Sequence, residues 1–539
     1  MELDSLLLER RVDALLAPWR DRVGPGVALG VVRKGELVLH RGAGLASIEH
    51  GVPIGPGTRF RIASVSKQFT CAAILMLREE GKLSLDDPAR RHLPDMPDLD
   101  PGITVAHLMH NTSGIRDMLE IQRQGGADLG TAVDQATLLE GIRRQRRLNF
   151  APGSRFLYSN SNFLLLGRIV EHLSGEPLPG FLERRILAPL GMSDTRMVED
   201  PYEAVPHLAT GYRPAEGGGW ARAPHGFRIG GEGGLVSSVE DLALWDRNFT
   251  TRRLGADWLD ALSEQTPFNN GHENFYARGL IVRGYRGVRT VGHSGLWPGY
   301  RTEFLRVPGH EVTVIAITND STADPGALAK RVLDVILEER PGIRPARALP
   351  PRGELEALAG RYLDPDSTTT LDIAATGDGG ATLSLNGLAV KAVAAPDGRL
   401  MSPASSTALF IRPLGPESIE VEQDAGHVAR WHRVAPGGAL PPGLAGTWRS
   451  EEMDAVWTIA PEGDGLEGGG LAVRVRGPVV SAGPWRVEAV EGDVVRVHVP
   501  GTLMNGWLDV RLLRDEAGAP MGLEVHGGRA KRVAYRRLG

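Results

Sequence analysis

Phe60-Arg-Ile-Ala-Ser64-Val-Ser-Lys67 is the stretch on which the reading of this chain turns. The residues after it carry apolar side chains at Phe69, Ala72, Ala73, Leu75 and Met76, and Gly81 ends the run. This spacing predicts a helix from Ser64 to Glu80. Ser64 then stands in its first turn, with Lys67 three residues on and on the same face. A serine hydroxyl attacks only when a neighbouring base takes its proton. A lysine serves as that base when burial and local positive charge lower its pKa. The start of a helix also turns backbone N–H groups toward the place where an oxyanion forms. Alone, Ser-x-x-Lys is short and common, and reads more readily as a serine cap beside an exposed lysine.

Two later segments give the pair company. Tyr158-Ser-Asn160 precedes a helical pattern from Phe163 to Leu173. A tyrosine near a lysine can relay a proton between nucleophile and leaving group. An asparagine amide can hold both the lysine and a substrate carbonyl; Asn160 and Asn162 are both placed for this. Gly292-His293-Ser294-Gly295 precedes a predicted strand, Arg301 to Val307. A glycine here lets a substrate lie against the strand edge. The Leu296 N–H could be a second oxyanion donor, and His293 could supply a hydrogen bond or positive charge near the leaving group. Each segment alone is an ordinary turn. The three in this order are a catalytic constellation, with Ser64, Lys67, Tyr158 and His293 as catalytic candidates and Asn160, Gly295 and Leu296 as substrate-binding ones.

Working outward, Val27 to Val32 and Glu36 to His40 flank Lys34-Gly35 as a hairpin, Ser238 and Asp241 resemble a capping box, residues 310–319 read as a strand and 325–339 as a helix. Residues 1–340 thus form one mixed domain. Four prolines in the thirteen residues 340–352 make a stiff connector, assigned as 341–352. Beyond it, helical periodicity nearly vanishes. Leu358-Ala-Gly-Arg-Tyr362 recurs as Leu444-Ala-Gly-Thr-Trp448, Leu371-Asp-Ile373 as Trp457-Thr-Ile459, and Trp431-His-Arg-Val434 as Tyr535-Arg-Arg-Leu538. Two copies of a small antiparallel barrel, 353–436 and 441–539, explain the repeat.

Bulk properties exclude several classes. The chain has 539 residues, a formal net charge of -5, and 42% hydrophobic and 24% charged residues. No basic face suggests a nucleic acid or anionic membrane partner. No run approaches the ~18 apolar residues of a membrane span. Cys71 is the only cysteine, so no intrachain disulfide forms. The first sixteen residues read as an amphipathic helix, not a secretory leader. The expectation is a cytoplasmic protein. There is no His-Glu-x-x-His, and the glycine runs 217–219 and 468–470 lack a following Lys-Ser/Thr. No metal or cofactor is expected.

The trio resembles that of the serine β-lactamase and penicillin-binding protein superfamily over roughly residues 10–340. His107-Leu-Met-His-Asn-Thr-Ser-Gly114 and Gly231-Glu-Gly-Gly-Leu-Val-Ser-Ser238 look like two more of its segments. Ser64-Val-Ser-Lys-Gln-Phe-Thr-Cys71, Asn111-Thr-Ser-Gly-Ile-Arg-Asp117 and Val533-Ala-Tyr-Arg-Arg537 are similar to the bacterial D-aminopeptidase family. That resemblance implies an α+β fold: a β-lactamase/transpeptidase-like catalytic domain followed by two small antiparallel β-barrel domains. It implies release of N-terminal D-amino acids from peptides, amides or esters through an acyl-enzyme, without metal, by a homodimer. In that family an acidic loop of the last barrel pairs with the substrate amine. Here the matching stretch, 500–507, has no carboxylate, and Asp509 falls in the next strand. Its Leu503, Met504 and Trp507 are expected to reach the Ser64 pocket and select by shape, with Met504 and Trp507 binding substrate. An esterase or weak β-lactamase is the nearest alternative. His293 in place of a lysine weighs against efficient β-lactam turnover, since histidine is mostly neutral at pH 7. A non-catalytic binding protein is a third reading, against which the intact trio weighs.

Overall fold

The computed structural model describes residues 5–538 apart from 95, 98, 256, 339–342, 346, 396, 403–408, 424–425, 463–469 and 502–504. Lys34 and Gly35 both take left-handed backbone, with φ of 51° and 78°. This is the geometry of a two-residue hairpin, and it joins Val27–Arg33 to Glu36–Ala43. The pair forms one side of a six-stranded antiparallel sheet ordered 281–285, 288–297, 300–307, 312–318, 27–33, 36–43. Alternation along Val27–Arg33 sends Leu29 and Val31 into one apolar core and Ala28 and Val32 into another. The first core is closed by Ser5–Leu15 and Pro325–Leu337. The second holds the helix Lys67–Glu79, buried along Lys67 to Leu77 without an exposed stripe. A helix apolar on all sides belongs in the middle of a domain, and this one carries the lysine there.

The helix begins later than its apolar pattern predicts. Ala63–Ser66 is a 3₁₀ turn, and α geometry starts at Lys67. Ala63 has φ 50°, a strained left-handed conformation. Ser238 does cap the Val239–Thr251 helix, accepting from the Asp241 N–H at 3.2 Å.

Past the connector, nine short strands between Gly360 and Arg433 form an antiparallel sheet whose end strands, Leu388–Lys391 and Val393–Ala394, are separated by Ala392 alone. It is a barrel just short of closure. Eight strands from Gly446–Ser450 to Val533–Leu538 form a closed barrel. Trp448, Trp457 and Trp485 sit in its core. So does Ile121, which comes from the first domain's helix Met118–Gln124. That helix plugs the barrel, and the Trp457 indole donates to the Gln124 carbonyl at 3.1 Å. The fold is thus α+β: a mixed first domain around the six-stranded sheet, a nearly closed barrel and a closed one. Among the described residues no helix is long and apolar enough to cross a membrane.

Candidate active site

The turn at Ala63–Ser66 and the helix after it bring Lys67 Nζ to 3.1 Å from Ser64 Oγ. Nζ also lies 2.9 Å from Asn160 Oδ1 and contacts the Glu232 carbonyl oxygen. Lys67 is wholly buried, with Nζ over the Tyr158 and Phe163 rings at 5.0 and 5.1 Å. Burial lowers its ammonium to about 7, helped by the positive charge of Arg529; Glu232 and Asp117 oppose the fall. A lysine so placed can be neutral at physiological pH and accept a proton.

Asn160 opens the helix Asn160–Ser174, one turn earlier than the Phe163 start read from sequence. Its N–H and Nδ2 both donate to Asp117 Oδ2, at 2.6 and 2.8 Å. This fixes the amide with its oxygen toward Lys67. Of the two asparagines, Asn160 holds the lysine. Asn162 is turned away: its Nδ2 donates to Asn111 Oδ1 at 2.9 Å and its Oδ1 accepts from Ser113 Oγ at 2.7 Å. Tyr158 is buried, and its hydroxyl makes no well-aligned hydrogen bond. Burial raises its pKa, against the neighbouring Ser64 hydroxyl. It is a neutral phenol that can pass a proton on, not a resident phenolate base.

The third motif lies inside the strand Val288–Trp297, not in a turn. Gly295 is needed for a reason other than substrate access: a Cβ there would meet the Ile62 carbonyl oxygen at 2.3 Å. The strand thereby runs close beside the Ser64 turn. Leu296 is 37% exposed at its end.

His293 departs from the expectation of a hydrogen bond or charge for the leaving group. It is 1% exposed. Nδ1 lies 2.6 Å from the Ser294 carbonyl oxygen, which can only accept, so Nδ1 carries the proton. Nε2 then accepts from the Tyr276 hydroxyl at 3.0 Å. Burial, and then Lys67, push its pKa down to about 3. His293 is a neutral brace for the edge-to-face contact of Tyr276 and Tyr158, whose centroids lie 5.9 Å apart.

The loop residues also depart from expectation. Leu503 and Met504 lie outside the described residues. Trp507 is packed between the barrels, not at the pocket. Its Nε1 donates to Thr370 Oγ1 at 3.0 Å, and Arg496 lies 3.9 Å over its ring. An indole of this size gains more from the inter-barrel core than from an exposed loop. Asp509, in the strand Gly506–Arg514, accepts from Thr370 as well.

Among the described residues of the last barrel, Arg529 reaches the site, from the hairpin between Pro520–His526 and Val533–Leu538. Its Nη1 is 3.4 Å from Asp117 Oδ2, and its guanidinium is 5.6 Å from the Tyr158 ring centre. Reading the sequence missed Arg529, Asp117, Glu232, Asn111 and Tyr276 as site residues. Asp117 was findable, since Asp117-x-x-Glu120 is a helix-start signal and Asp117 Oδ1 does cap Leu119 and Glu120. Arg529 was not, because its partner is 412 positions away. Glu232 is buried with neither carboxyl oxygen in a well-aligned hydrogen bond, and burial raises its pKa. Among the described residues, no cluster of three or more His, Cys, Asp or Glu could hold a metal ion.

The Beta-lactamase family model matches residues 8–337. The chain is 30% identical to the D-aminopeptidase of Brucella canis over 546 residues, 99% of each chain. It is 26% identical to that of Cereibacter sphaeroides over the full length of both. Among solved structures it resembles the D-amino acid amidase of Ochrobactrum anthropi SV3, with TM-score 0.53 and 25% identity over 62% of this chain and 99% of that one. It also resembles the octameric penicillin-binding protein homologue of Pyrococcus abyssi, with TM-score 0.56 and 25% identity over 80% of this chain and all of that one. A family model spanning most of the chain, full-length D-aminopeptidase relatives and a serine–lysine pair in contact lead to one assignment: the chain belongs to the beta-lactamase family, on its D-aminopeptidase side, and is a serine hydrolase.

Proposed function

We propose that this enzyme releases N-terminal D-amino acids from peptides, amides or esters through an acyl-enzyme on Ser64. The observation that carries the mechanism is the 3.1 Å contact of a buried Lys67 Nζ with Ser64 Oγ. Neutral Lys67 takes the Oγ proton as Oγ bonds to the scissile carbonyl carbon. The oxyanion is met by the N–H groups of Ser64 and Leu296. Tyr158 gives its proton to the leaving amine as the C–N bond breaks, and regains one from the Lys67 ammonium. Water then attacks the ester by the same groups in reverse roles, freeing the D-amino acid and Ser64. Asp117 and Asn160 keep Lys67 oriented. A neutral His293 offers no charge to a β-lactam carboxylate, which favours this reading over a β-lactamase.

The relatives named D-aminopeptidase and the fold shared with a D-amino acid amidase support the substrate class. A homodimer in the cytoplasm completes the proposal. It rests on the family resemblance and on a single, buried cysteine, and size-exclusion chromatography tests the dimer against an octamer like that of the Pyrococcus homologue. The substrate class is tested by a panel of D- and L-alanyl p-nitroanilides, an acyl ester and a cephalosporin. The D-alanyl compound should have the highest kcat/KM. A faster ester or cephalosporin overturns the assignment.

A further inference from the structure

The hairpin that carries Arg529 is held from several sides. Its Arg529 carbonyl accepts from the Asp117 N–H at 3.2 Å and from Asn149 Nδ2 at 3.1 Å. Asn149 Oδ1 takes the Lys531 N–H at 2.8 Å. Gln124 donates to the Ala530 carbonyl, and Arg116 to the carbonyls of Lys531 and Arg532. A side chain offered from so fixed a backbone is pre-organised for a ligand.

Arg529 is not needed to satisfy Asp117. That carboxylate already accepts four N–H groups, two from Asn160 and those of Leu119 and Glu120, at 2.6 to 3.1 Å. The arginine contact is longer than any of them, at 3.4 Å. The other nearby carboxylate, Glu120, faces Arg123 at 3.5 Å. Arg529 is 29% exposed while Asp117 is wholly buried. Part of the guanidinium is therefore open to solvent, with the Tyr158 ring centre 5.6 Å away.

Its presence follows the presence of the barrel. Nearly all of the Ochrobactrum amidase matches, yet it accounts for only 62% of this chain, too little for the first domain and both barrels together. The core chemistry thus needs no barrel arginine. A protein named an amidase acts on amides, and a primary amide loses ammonia, a leaving group without a carboxylate. A guanidinium is matched to a carboxylate in two parallel hydrogen bonds.

We infer that Arg529 is a carboxylate subsite for the leaving group, so that the favoured substrates are D-aminoacyl dipeptides, whose departing residue bears a free C-terminal carboxylate. The inference rests on the D-aminopeptidase reading and adds the leaving-group class. Tyr158, which protonates that amine in the proposed mechanism, lies directly beneath the guanidinium. The C-terminal barrel is then a specificity device for the leaving side.

The test measures kcat/KM for D-Ala-Gly, its C-terminal amide and D-alanyl p-nitroanilide, on the full-length wild type, Arg529→Met and Arg529→Lys. Wild type should prefer the free dipeptide over its amide by at least about tenfold, the size of one charged hydrogen bond. Arg529→Met should bring that ratio near one, with Arg529→Lys between. Wild type that cleaves the anilide but ignores amidation overturns the subsite and leaves the D-aminopeptidase reading standing. So does Arg529→Met slowing both dipeptides equally, because a mere brace for Asp117 would do that. If no D-alanyl compound is cleaved while an ester or cephalosporin is, the reading fails and the inference falls with it. The wild-type ratio needs no variant, so a poorly folding Arg529→Met does not protect the idea.

Discussion

The two barrels begin with the same Leu-Ala-Gly motif and end with the same kind of strand, yet they meet the catalytic domain in different ways. Each ends in two antiparallel neighbouring strands. In the first barrel these are Ser418–Gln423 and His427–Arg433, three residues apart in sequence; Gly426 backs onto the ring of His272, and neighbouring His427 touches the Ser154 carbonyl at 3.4 Å. In the last barrel the connection is the hairpin of residues 527–532, twice that length in sequence, and it carries Arg529 to Asp117. The first contact is peripheral and partly exposed. The second ends two hydrogen bonds from Lys67, through Asp117 and Asn160. Repeated sequence therefore conveys architecture, while function is set by an extension of one hairpin that the repeat does not share.

The largest test of this division concerns whether either barrel can work alone. Ser64→Ala should lower turnover by at least ~10³-fold and abolish labelling by an acylating inhibitor, read by intact mass. Label on a peptide lacking Ser64, or activity retained, would put the chemistry elsewhere. Lys67→Ala and Tyr158→Phe should each cost at least ~10²-fold in kcat. Effects within twofold would show that the contacts around Nζ are structural only.

Much of this was legible in the chain. Lys34-Gly35, the apolar period after Ser64, and the paired motifs at Leu358 and Leu444 each act through near neighbours, and local patterns report near neighbours well. The closeness of Ser64 and Lys67 was legible because residues three apart on one helical turn are close by construction. The failures share one cause. His293 was read as supplying a hydrogen bond or positive charge near the leaving group; in the structure both its nitrogens are used by Ser294 and Tyr276, and burial is not written in a Gly-His-Ser-Gly string. Trp507 was read as a pocket residue on its apolar character, which suits an inter-barrel core equally. Arg529 needed the docking of one domain on another, which no local pattern encodes.

A smaller effect separates the two hairpins by pH. Lys67 must be neutral to take the Ser64 proton. Below its pKa it is charged, and kcat/KM should fall with an acid limb near 7, tenfold per pH unit. His293 is neutral down to about 3, so His293→Asn should lower the rate without moving that limb. The positive charge of Arg529 holds the Lys67 pKa down. Its loss in Arg529→Met leaves Asp117 less compensated and raises the lysine pKa, so the limb should move to higher pH. A limb that stays in place would show that the barrel arginine is electrostatically remote from the base.

The smallest effect is the control on which the contrast depends. His427→Ala removes the first barrel's contacts to Ser154 and to Arg155, the latter at 3.3 Å. Both contacts are at least partly open to water, where a single hydrogen bond contributes about 1 kcal/mol or less to stability. Ser154 Oγ donates back to the Ala151 carbonyl, away from Lys67. Activity should stay within about twofold of wild type, with the acid limb and the dipeptide-to-amide ratio unchanged. Docking of the first barrel survives the loss, since Asp372 pairs with Arg496 at 2.7 Å and Thr370 with Asp509 across the two barrels. If His427→Ala instead shifts the acid limb as Arg529→Met does, the two hairpins act alike. The added length of the last one would then not be what joins a barrel to the chemistry.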